Sequence, residues 1–227
     1  MLALGVDHRS APTAVREALA FEGVRLRRGL DALKAEAPDA EFVLLSTCNR
    51  VELYAAAEAD PPDAGALAAS LARSHDVPVA TLDGHLVARR DEAAVAHLFR
   101  VAAGLESLVP GEGQVLGQVK DAYRLASECE AVGPILHHVF KRALRVGKRV
   151  REETGLDRGR CSVASVAVDV ARAVFDRFDD KAVLVIGAGA TGELTLRHLA
   201  ALRPGVLLVT NRDSARARAV AERWGAA

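Results

Sequence analysis

The sequence predicts an α/β protein in two parts. An α+β domain at residues 1–155, with a split βαβ, ferredoxin-like antiparallel sheet and helices, precedes a partial Rossmann-type parallel βαβ domain at 156–227. Residues 1–88 predict the first part, because β-forming runs and helical segments follow in the order strand, helix, strand, strand, helix, strand. Two continuous apolar runs after residue 181 predict the second part, because such runs are typical of parallel strands covered on both faces.

Composition limits the function classes. The 30 basic and 30 acidic residues balance, so nucleic acid or a membrane surface must be recognised by a local patch rather than by bulk charge. Cys48, Cys129 and Cys161 have no C-x-x-C spacing and no histidine at metal-like intervals, which predicts no metal site and a reducing compartment. With no basic leader and no apolar run near the roughly 20 residues of a membrane helix, we expect a soluble cytoplasmic protein without a membrane partner.

In the first domain, short apolar runs alternate with helical patterns. Strands are predicted at 2–6, 41–45, 51–55 and 85–88, and helices at 13–37, with a break near 21–23, and at 64–75 after a Pro/Asp loop at 60–63. We expect the helices to lie on one face of the antiparallel sheet. Three further helices are predicted at 91–103, 114–130 and 135–153, and the glycines Gly104 and Gly133 end the first two.

The third of these helices has an apolar stripe and a basic remainder. The stripe is predicted at Val139, Ala143, Val146 and Val150. Six cations occupy the rest, with no acid among residues 141–151: Lys141, Arg142, Arg145, Lys148, Arg149 and Arg151. Such a face can neutralise several RNA phosphates, although a solvated helix surface is the alternative interpretation.

A polar turn between two of the predicted strands contains Cys48 and Arg50. A guanidinium there can lower the thiol pKa, which favours the nucleophilic thiolate, and can bind a substrate carboxylate through two parallel hydrogen bonds. The alternative is a small buried cysteine beside an arginine in a salt bridge. Nearby, the loop at 104–118 is rich in glycine and polar side chains, which are costly to bury unless they bind something. His97, on the preceding helix, is by itself typical of a hydrogen-bonded core residue.

The second domain begins after a predicted linker at 154–160. Ser162 is the predicted N-cap of a helix that extends to about residue 178. A buried strand at 182–186, the turn Gly-Ala-Gly-Ala-Thr-Gly at 187–192 and a helix then precede a second strand at 206–210. A G-x-G-x-x-G turn in that context predicts a dinucleotide site. Asn211 and Arg212, rather than an acid, follow the second strand and favour the 2′-phosphate of NADP.

Several stretches together resemble the N-terminal half of glutamyl-tRNA reductases, the family that makes glutamate-1-semialdehyde for tetrapyrrole synthesis. They are Gly-Val-Asp-His-Arg-Ser-Ala-Pro at 5–12, Ser-Thr-Cys-Asn-Arg-Val-Glu-Leu-Tyr at 46–54, and the stretches 94–107, 111–123 and 185–192. Asp7, Pro110 and Gly113 depart from the residues usual in the family.

The resemblance implies a nucleophilic Cys48 and, near the thiol, a His97 that is important for activity. The family's thioester on this cysteine is a better hydride acceptor than the original ester. The glutamyl group is implied to contact Cys48 and eight further residues: Thr47, Asn49, Arg50, Ser107, Glu112, Gly113, Gln114 and Gln118. NADPH binding is implied for the turn Gly187, Ala188, Gly189, Ala190, Thr191 and Gly192.

The resemblance also implies glutamyl-tRNA as substrate, handover of the product to the semialdehyde aminomutase, and a homodimer for full-length members but not for this chain. The sequence stops before the family's remaining nicotinamide-domain strands, spinal helix and dimerisation domain. We therefore expect exposed apolar surface in the second domain, poor NADPH binding, and a chain that forms the thioester without reducing it efficiently. Two alternatives remain open: another NADP-dependent dehydrogenase with a structural Cys48, and a non-catalytic RNA-binding or regulatory fragment.

Overall fold

The chain forms two compact units, Met1–Leu156 and Asp157–Ala227. The computed structural model describes residues 1–59, 62–156 and 162–227. Most of the predicted linker at 154–160, the Cys161 thiol and part of the predicted loop at 60–63 lie outside these ranges. Within them, no helix is both long enough and apolar enough to cross a membrane.

The first unit contains a four-stranded sheet in the order β2-β3-β1-β4, with every neighbouring pair antiparallel. The strands are β1 (Leu2–Asp7), β2 (Glu41–Thr47), β3 (Arg50–Ala56) and β4 (Val87–Arg90). This order confirms the predicted split βαβ arrangement. Strand β4 begins two residues later than predicted, because His85 and Leu86 donate backbone hydrogen bonds to Leu82 and so belong to a turn.

Helices cover both faces of this sheet, so the prediction that they occupy one face is wrong. They are α1 (Thr13–Ala18), α2 (Val24–Glu36), α3 (Ala64–Ser74), α4 (Asp91–Ala102), α5 (Gln114–Glu128) and α6 (Pro134–Thr154). Val43 pairs with Tyr54, whereas the adjacent Leu44 points to the opposite face. Helix α2 lies against Leu44, and Phe140 of α6 packs edge-on against Tyr54 with ring centroids 5.4 Å apart. Every residue of β1 and β3 is accordingly buried.

The buried stripe of α6 is rotated from the predicted one. Its fully buried positions are Leu136, Phe140, Ala143 and Gly147. Of the predicted stripe only Ala143 is fully buried, and the three valines lie at the edges of the helix interface. The valine pattern was misleading because the side of α6 that faces the sheet and α4 carries Phe140 and Gly147 rather than the valines.

The second unit is a βαβ arrangement with one open face. Its elements are α7 (Val163–Val174), β5 (Ala182–Ile186), α8 (Ala190–Ala200), β6 (Val206–Thr210) and α9 (Ser214–Trp224). Strands β5 and β6 are parallel, and Ser162 caps α7 as predicted. Helix α7 ends at Val174, earlier than predicted, because Phe175 is extended. Leu184 and Ile186 are 54% and 81% exposed, so the strand is not covered on both faces and the expected exposure of apolar surface is confirmed.

Candidate active site

Cys48 and Asn49 form the two-residue connection between β2 and β3, where Thr47 pairs with Arg50 across the hairpin. The Thr47 hydroxyl oxygen accepts hydrogen bonds from the backbone N–H groups of Asn49 and Arg50, each at 3.1 Å. This contact fixes the turn locally and leaves the Cys48 residue exposed at its tip. The thiol is therefore accessible and held on a rigid hairpin, as a nucleophile requires.

Arg50 lies in a buried network behind the turn. Its side chain is 2% exposed, and its Nη1 donates to Glu52 Oε1 at 2.7 Å, while its Nη2 donates to the backbone carbonyl of Glu106. Glu52 also binds His97 Nε2 at 2.9 Å and accepts a hydrogen bond from the Tyr54 hydroxyl. Although burial opposes ionisation, the His97 hydrogen bond and the Arg50 charge hold the pKa of Glu52 at about 2.

The low pKa of Glu52 makes the stability of the fold depend on pH. Because the folded-state pKa lies below the ordinary 4.5, ionised Glu52 stabilises the fold above about pH 4.5. That stabilisation is lost as the pH falls toward 2, where the folded state also binds the proton.

His97 is part of this network rather than of the exposed turn. Its side chain is 4% exposed, and its Nε2 contacts the same Glu52 oxygen that binds Arg50. Within the described residues, no hydrogen bond joins His97 to Cys48. His97 is therefore joined to Arg50 through Glu52.

A second turn and a loop converge on Arg50. Asp7, the register partner of Arg50 in β1, accepts hydrogen bonds from the backbone N–H groups of Arg9 and Ser10 and so closes the turn after β1. Arg9 Nη1 donates to Glu106 Oε2 at 2.6 Å, and Arg100 on α4 donates to the other oxygen. Glu106 thus joins this turn, α4 and the 104–113 loop. The sequence interpretation assigned no role to Arg9 or Glu106, because neither stands in a distinctive local spacing.

The predicted glutamyl-binding residues of the loop differ in exposure. Ser107 is buried, Glu112 and Gln118 are half-buried, and Gly113 and Gln114 are exposed. Burial raises the pKa of Glu112. Its backbone carbonyl accepts a hydrogen bond of 3.3 Å from Arg151 Nη2, which ties the loop to α6.

The pKa of the Cys48 thiol is raised overall. Burial raises it most, and the Glu112 carboxylate raises it further. Arg16 and Arg50 act in the opposite direction but do not reverse the shift. Arg50 thus lowers the thiol pKa as expected, but the net shift is upward and does not favour the thiolate. The influence of Glu112 on Cys48 nevertheless shows that the hairpin turn and the loop lie close together.

Two residues near the turn were missed by the sequence interpretation. Arg16 on α1 lies close enough to Cys48 to lower its pKa, and its Nη1 donates to the Ala11 carbonyl at 2.7 Å. Burial lowers the pKa of His8, and the Arg9, Arg50 and Arg16 charges lower it further. Its Nδ1 is buried without a hydrogen-bond partner among the described residues. His8 lies in the stretch at 5–12 that supplied the resemblance, whereas Arg16 lies outside the matching stretches, and neither stands in a chemically suggestive spacing.

The glycine-rich turn of the second unit has the geometry of a phosphate-binding loop. Gly187 has φ +106°, and a Cβ on Gly192 would lie 1.9 Å from the Gly187 carbonyl oxygen, so both positions require glycine. Ala190 begins α8, and Gly189, Ala190 and Thr191 are exposed. These features fit a pyrophosphate resting on the helix N-terminus.

The residues after β6 border the same turn. Asn211 Oδ1 accepts from the Ala188 N–H at 3.4 Å, and Arg212 is exposed. Arg216 on α9, which the sequence interpretation missed, donates from Nε to the Ala188 carbonyl at 2.8 Å. The turn therefore carries two exposed cations that suit a phosphorylated dinucleotide.

The basic face of α6 is solvent-exposed. It comprises Lys141, Arg142, Arg145, Lys148 and Arg149. Lys148 and Arg149 pair with Glu152 and Glu153 at 3.6 and 3.0 Å. Among the residues that the structure describes, the other three cations form no ion pair. Arg151, by contrast, is directed toward the Glu112 loop, so the basic face begins beside the candidate site.

Comparison with known proteins gives consistent matches. A family model described as "Glutamyl-tRNAGlu reductase, N-terminal domain" matches residues 4–154, and one described as "Shikimate / quinate 5-dehydrogenase" matches residues 169–227. The curated glutamyl-tRNA reductases of Salinispora arenicola and Marinobacter nauticus are 44% and 43% identical over 100% and 99% of this chain. These alignments cover 50% and 52% of those two proteins, so the chain spans about half the length of the curated relatives it matches.

A solved structure agrees with this. The structure titled "Glutamyl-tRNA Reductase from Methanopyrus kandleri" has 34% sequence identity and a TM-score of 0.64. The match covers 99% of this chain and 52% of that one.

The raised pKa of Cys48 generates a prediction. Glu112→Gln removes a negative charge that raises the thiol pKa, so we expect a lower pKa and faster alkylation of Cys48 by iodoacetamide at pH 7. Arg16→Gln removes a charge that lowers the pKa and should slow the reaction. Peptide mass spectrometry across a pH series measures the rate, with Cys129 as internal reference. Equal or slower alkylation in Glu112→Gln would contradict this account of the site.

Proposed function

The chain belongs to the glutamyl-tRNA reductase family, and from this premise we propose that it takes part in the NADPH-dependent reduction of glutamyl-tRNA to glutamate-1-semialdehyde. This reaction releases tRNA and is the first step of the five-carbon route to tetrapyrroles. The observation that carries the proposal is the Cys48 thiol at the tip of a fixed hairpin turn, where the residue is exposed and the Glu112 carboxylate acts on the thiol. We assign residues 1–155 to glutamyl binding and acyl transfer, and residues 156–227 to NADPH binding.

Acyl transfer uses Cys48 as the nucleophile. The thiolate attacks the ester carbon, the carbon–oxygen bond to the tRNA breaks, and a glutamyl thioester remains on Cys48. This splits one difficult reduction into two easier steps. NADPH, when bound, supplies the hydride that converts the thioester to the aldehyde and frees the thiol.

Substrate binding activates the nucleophile in this proposal. The resting thiol has a raised pKa, partly because of the Glu112 carboxylate. The free α-ammonium of the glutamyl group neutralises that carboxylate when it binds, which removes a cause of the raised pKa. Thiolate is thereby formed when an acceptor is present.

The other glutamyl contacts come from the turn and the loop. We propose Thr47, Asn49, Ser107, Gly113, Gln114 and Gln118 for them. Arg50 already donates to Glu52 and the Glu106 carbonyl, so it supplies positive charge behind the turn and positions the loop. His97 positions Arg50 through Glu52.

The tRNA backbone is assigned to the basic face of α6. Three of its cations are unpaired within the described residues, and Arg151 on the same helix contacts the Glu112 loop. A phosphate backbone can therefore follow the helix away from the reacting ester.

Cofactor binding is assigned to the second unit. The turn at 187–192 receives the pyrophosphate, while Asn211 and Arg212 border the 2′-phosphate of NADPH. The exposed faces of Leu184 and Ile186 lead us to expect weak cofactor binding by these 227 residues alone.

Cys48→Ser tests the central claim. We expect glutamate release from glutamyl-tRNA to fall by about a thousandfold or more, because a hydroxyl is far less ionised than a thiol. The unsubstituted chain should give a mass adduct that hydroxylamine removes, while NADPH absorbance stays flat. Cys129→Ser is the control and should retain the adduct. Near-normal glutamate release by Cys48→Ser would refute the proposal.

The basic face is tested by salt dependence. Replacing Lys141, Arg142 and Arg145 with Gln should reduce the slope of log affinity for tRNA against log salt by about 2 to 3, since each lost phosphate contact removes roughly 0.7–0.9. A matched control replaces Arg25, Arg27 and Arg28, which are exposed on α2. Equal slopes in the two triple variants would place the tRNA elsewhere.

Arg212→Ala tests the cofactor assignment. Loss of a charge-assisted hydrogen bond should weaken NADPH binding by about tenfold or more and leave NADH binding unchanged. Fluorescence titration of both nucleotides measures the ratio, with exposed Arg218→Ala on α9 as control. A proportional loss for both nucleotides would show that Arg212 does not contact the 2′-phosphate.

A further inference from the structure

A cavity of about 390 Å³ opens directly beside Cys48, between α1 and the β2–β3 hairpin. Its walls come from α1 and the segment after it on one side and from residues 46–48 on the other. Of the residues proposed to contact the glutamyl group, Thr47 and Cys48 line it, whereas none of those at 107–118 does. A volume of this size suits a small organic group rather than ordered water alone.

The surroundings of Cys48 therefore include two separate sets of residues. Glu112, which raises the thiol pKa, belongs to the 104–113 loop and does not line the cavity. An ester carbonyl at the sulfur has two substituents: the acyl chain, and the leaving oxygen with the alcohol to which it belongs. They must extend in different directions when the sulfur attacks.

The charges of the cavity favour the alcohol part of the ester, which is the leaving group, over the acyl chain. Its ionisable wall residues are Arg16, Glu17 and Glu22, which give one positive and two negative charges. A further carboxylate, such as the side chain of a glutamyl group, is repelled by this excess of negative charge. A neutral nucleoside instead offers hydroxyl and amino hydrogens to the two carboxylates. Ala20 and Phe21 add apolar wall next to which a base can lie.

Arg16 brings a fixed positive charge to the cavity wall. Its terminal nitrogens donate to the Ala11 carbonyl and, at 3.2 Å, to the Thr13 hydroxyl. Its charge acts on the Cys48 thiol, whose pKa it lowers. The guanidinium remains charged throughout a reaction cycle, so it can stabilise negative charge on an oxygen that leaves from an ester at the sulfur.

We propose that this cavity is the binding site for the 3′-terminal adenosine of the aminoacylated RNA, with Arg16 stabilising the ribose oxygen as it leaves. This inference rests on the proposed acyl transfer to Cys48. The sulfur–carbon bond forms as the carbon–oxygen bond to ribose breaks, and the ribose oxygen takes up one proton for the one that the thiol loses. The step needs no oxidant or reductant.

Two small esters test the inference: glutamic acid esterified at its α-carboxyl to the 2′(3′)-hydroxyl of adenosine, and the corresponding methyl ester. The rate of adduct formation on Cys48 is measured by intact mass for each ester. We expect the adenosine ester to react faster by about tenfold or more, because only its leaving group fills the cavity.

Two variants locate the effect. Ala20→Leu narrows the cavity and Arg16→Gln removes its cation, so each should bring the ratio of the two rates close to one. Ala14→Leu, on the exposed side of the same helix, is the control and should keep the unsubstituted ratio. Thermal melting shows whether each variant is folded. If one of the two cavity variants does not fold, the other still tests the site, because Ala20→Leu changes the volume of the cavity and Arg16→Gln changes its charge.

The outcomes separate the two hypotheses. Equal rates for the two esters in the unsubstituted chain, or equal slowing of both by Ala20→Leu, would overturn the adenosine site while acyl transfer to Cys48 stands. Equal slowing would show that the cavity holds the glutamyl group itself. No adduct from either ester would overturn the proposed function and this inference together.

Discussion

The architecture around the hairpin turn of the first unit depends on the buried carboxylate of Glu52. Glu52 has a side chain 6% exposed on the central strand β3, where an uncompensated charge would be very costly. Arg50, His97 and Tyr54 compensate it from three directions. Because removal of one partner from a buried ion pair typically costs about 3–5 kcal/mol, the network restricts the relative placement of β3 and α4. The hairpin turn with Cys48 and the loop with Glu106 are both attached to this network through Arg50.

This constraint explains why a cationic residue two positions from the thiol does not simply activate it. Arg50 is committed to Glu52 and to the Glu106 carbonyl, so much of its charge is already balanced. The Glu112 carboxylate raises the pKa of the thiol by more than the charge of either Arg16 or Arg50 lowers it. The two groups thus have different effects: the buried arginine holds the architecture, and the half-buried acid raises the pKa of the Cys48 thiol.

The sequence predicted the strand order, the exposed turn and the nucleotide loop, because each follows from local patterns. Alternation fixes strands, and a G-x-G-x-x-G turn is tied to backbone geometry at Gly187 and Gly192. The predictions that were wrong concern contacts between residues far apart in the sequence. The second covered face of the sheet depends on Phe140 reaching Tyr54, and the raised thiol pKa depends on a residue 64 positions from Cys48. Arg16 and Glu106 were missed for the same reason, since neither has a distinctive local spacing.

The carboxylate beside Cys48 also bears on the durability of the protein. Hydrogen peroxide and other cellular oxidants attack the thiolate, whereas a protonated thiol reacts slowly. An exposed cysteine with a low pKa is converted more readily to sulfenic and then sulfinic acid. Because burial and the Glu112 carboxylate raise the pKa of the Cys48 thiol, less thiolate is present for an oxidant to attack. The carboxylate that slows alkylation of this cysteine therefore also slows its oxidation.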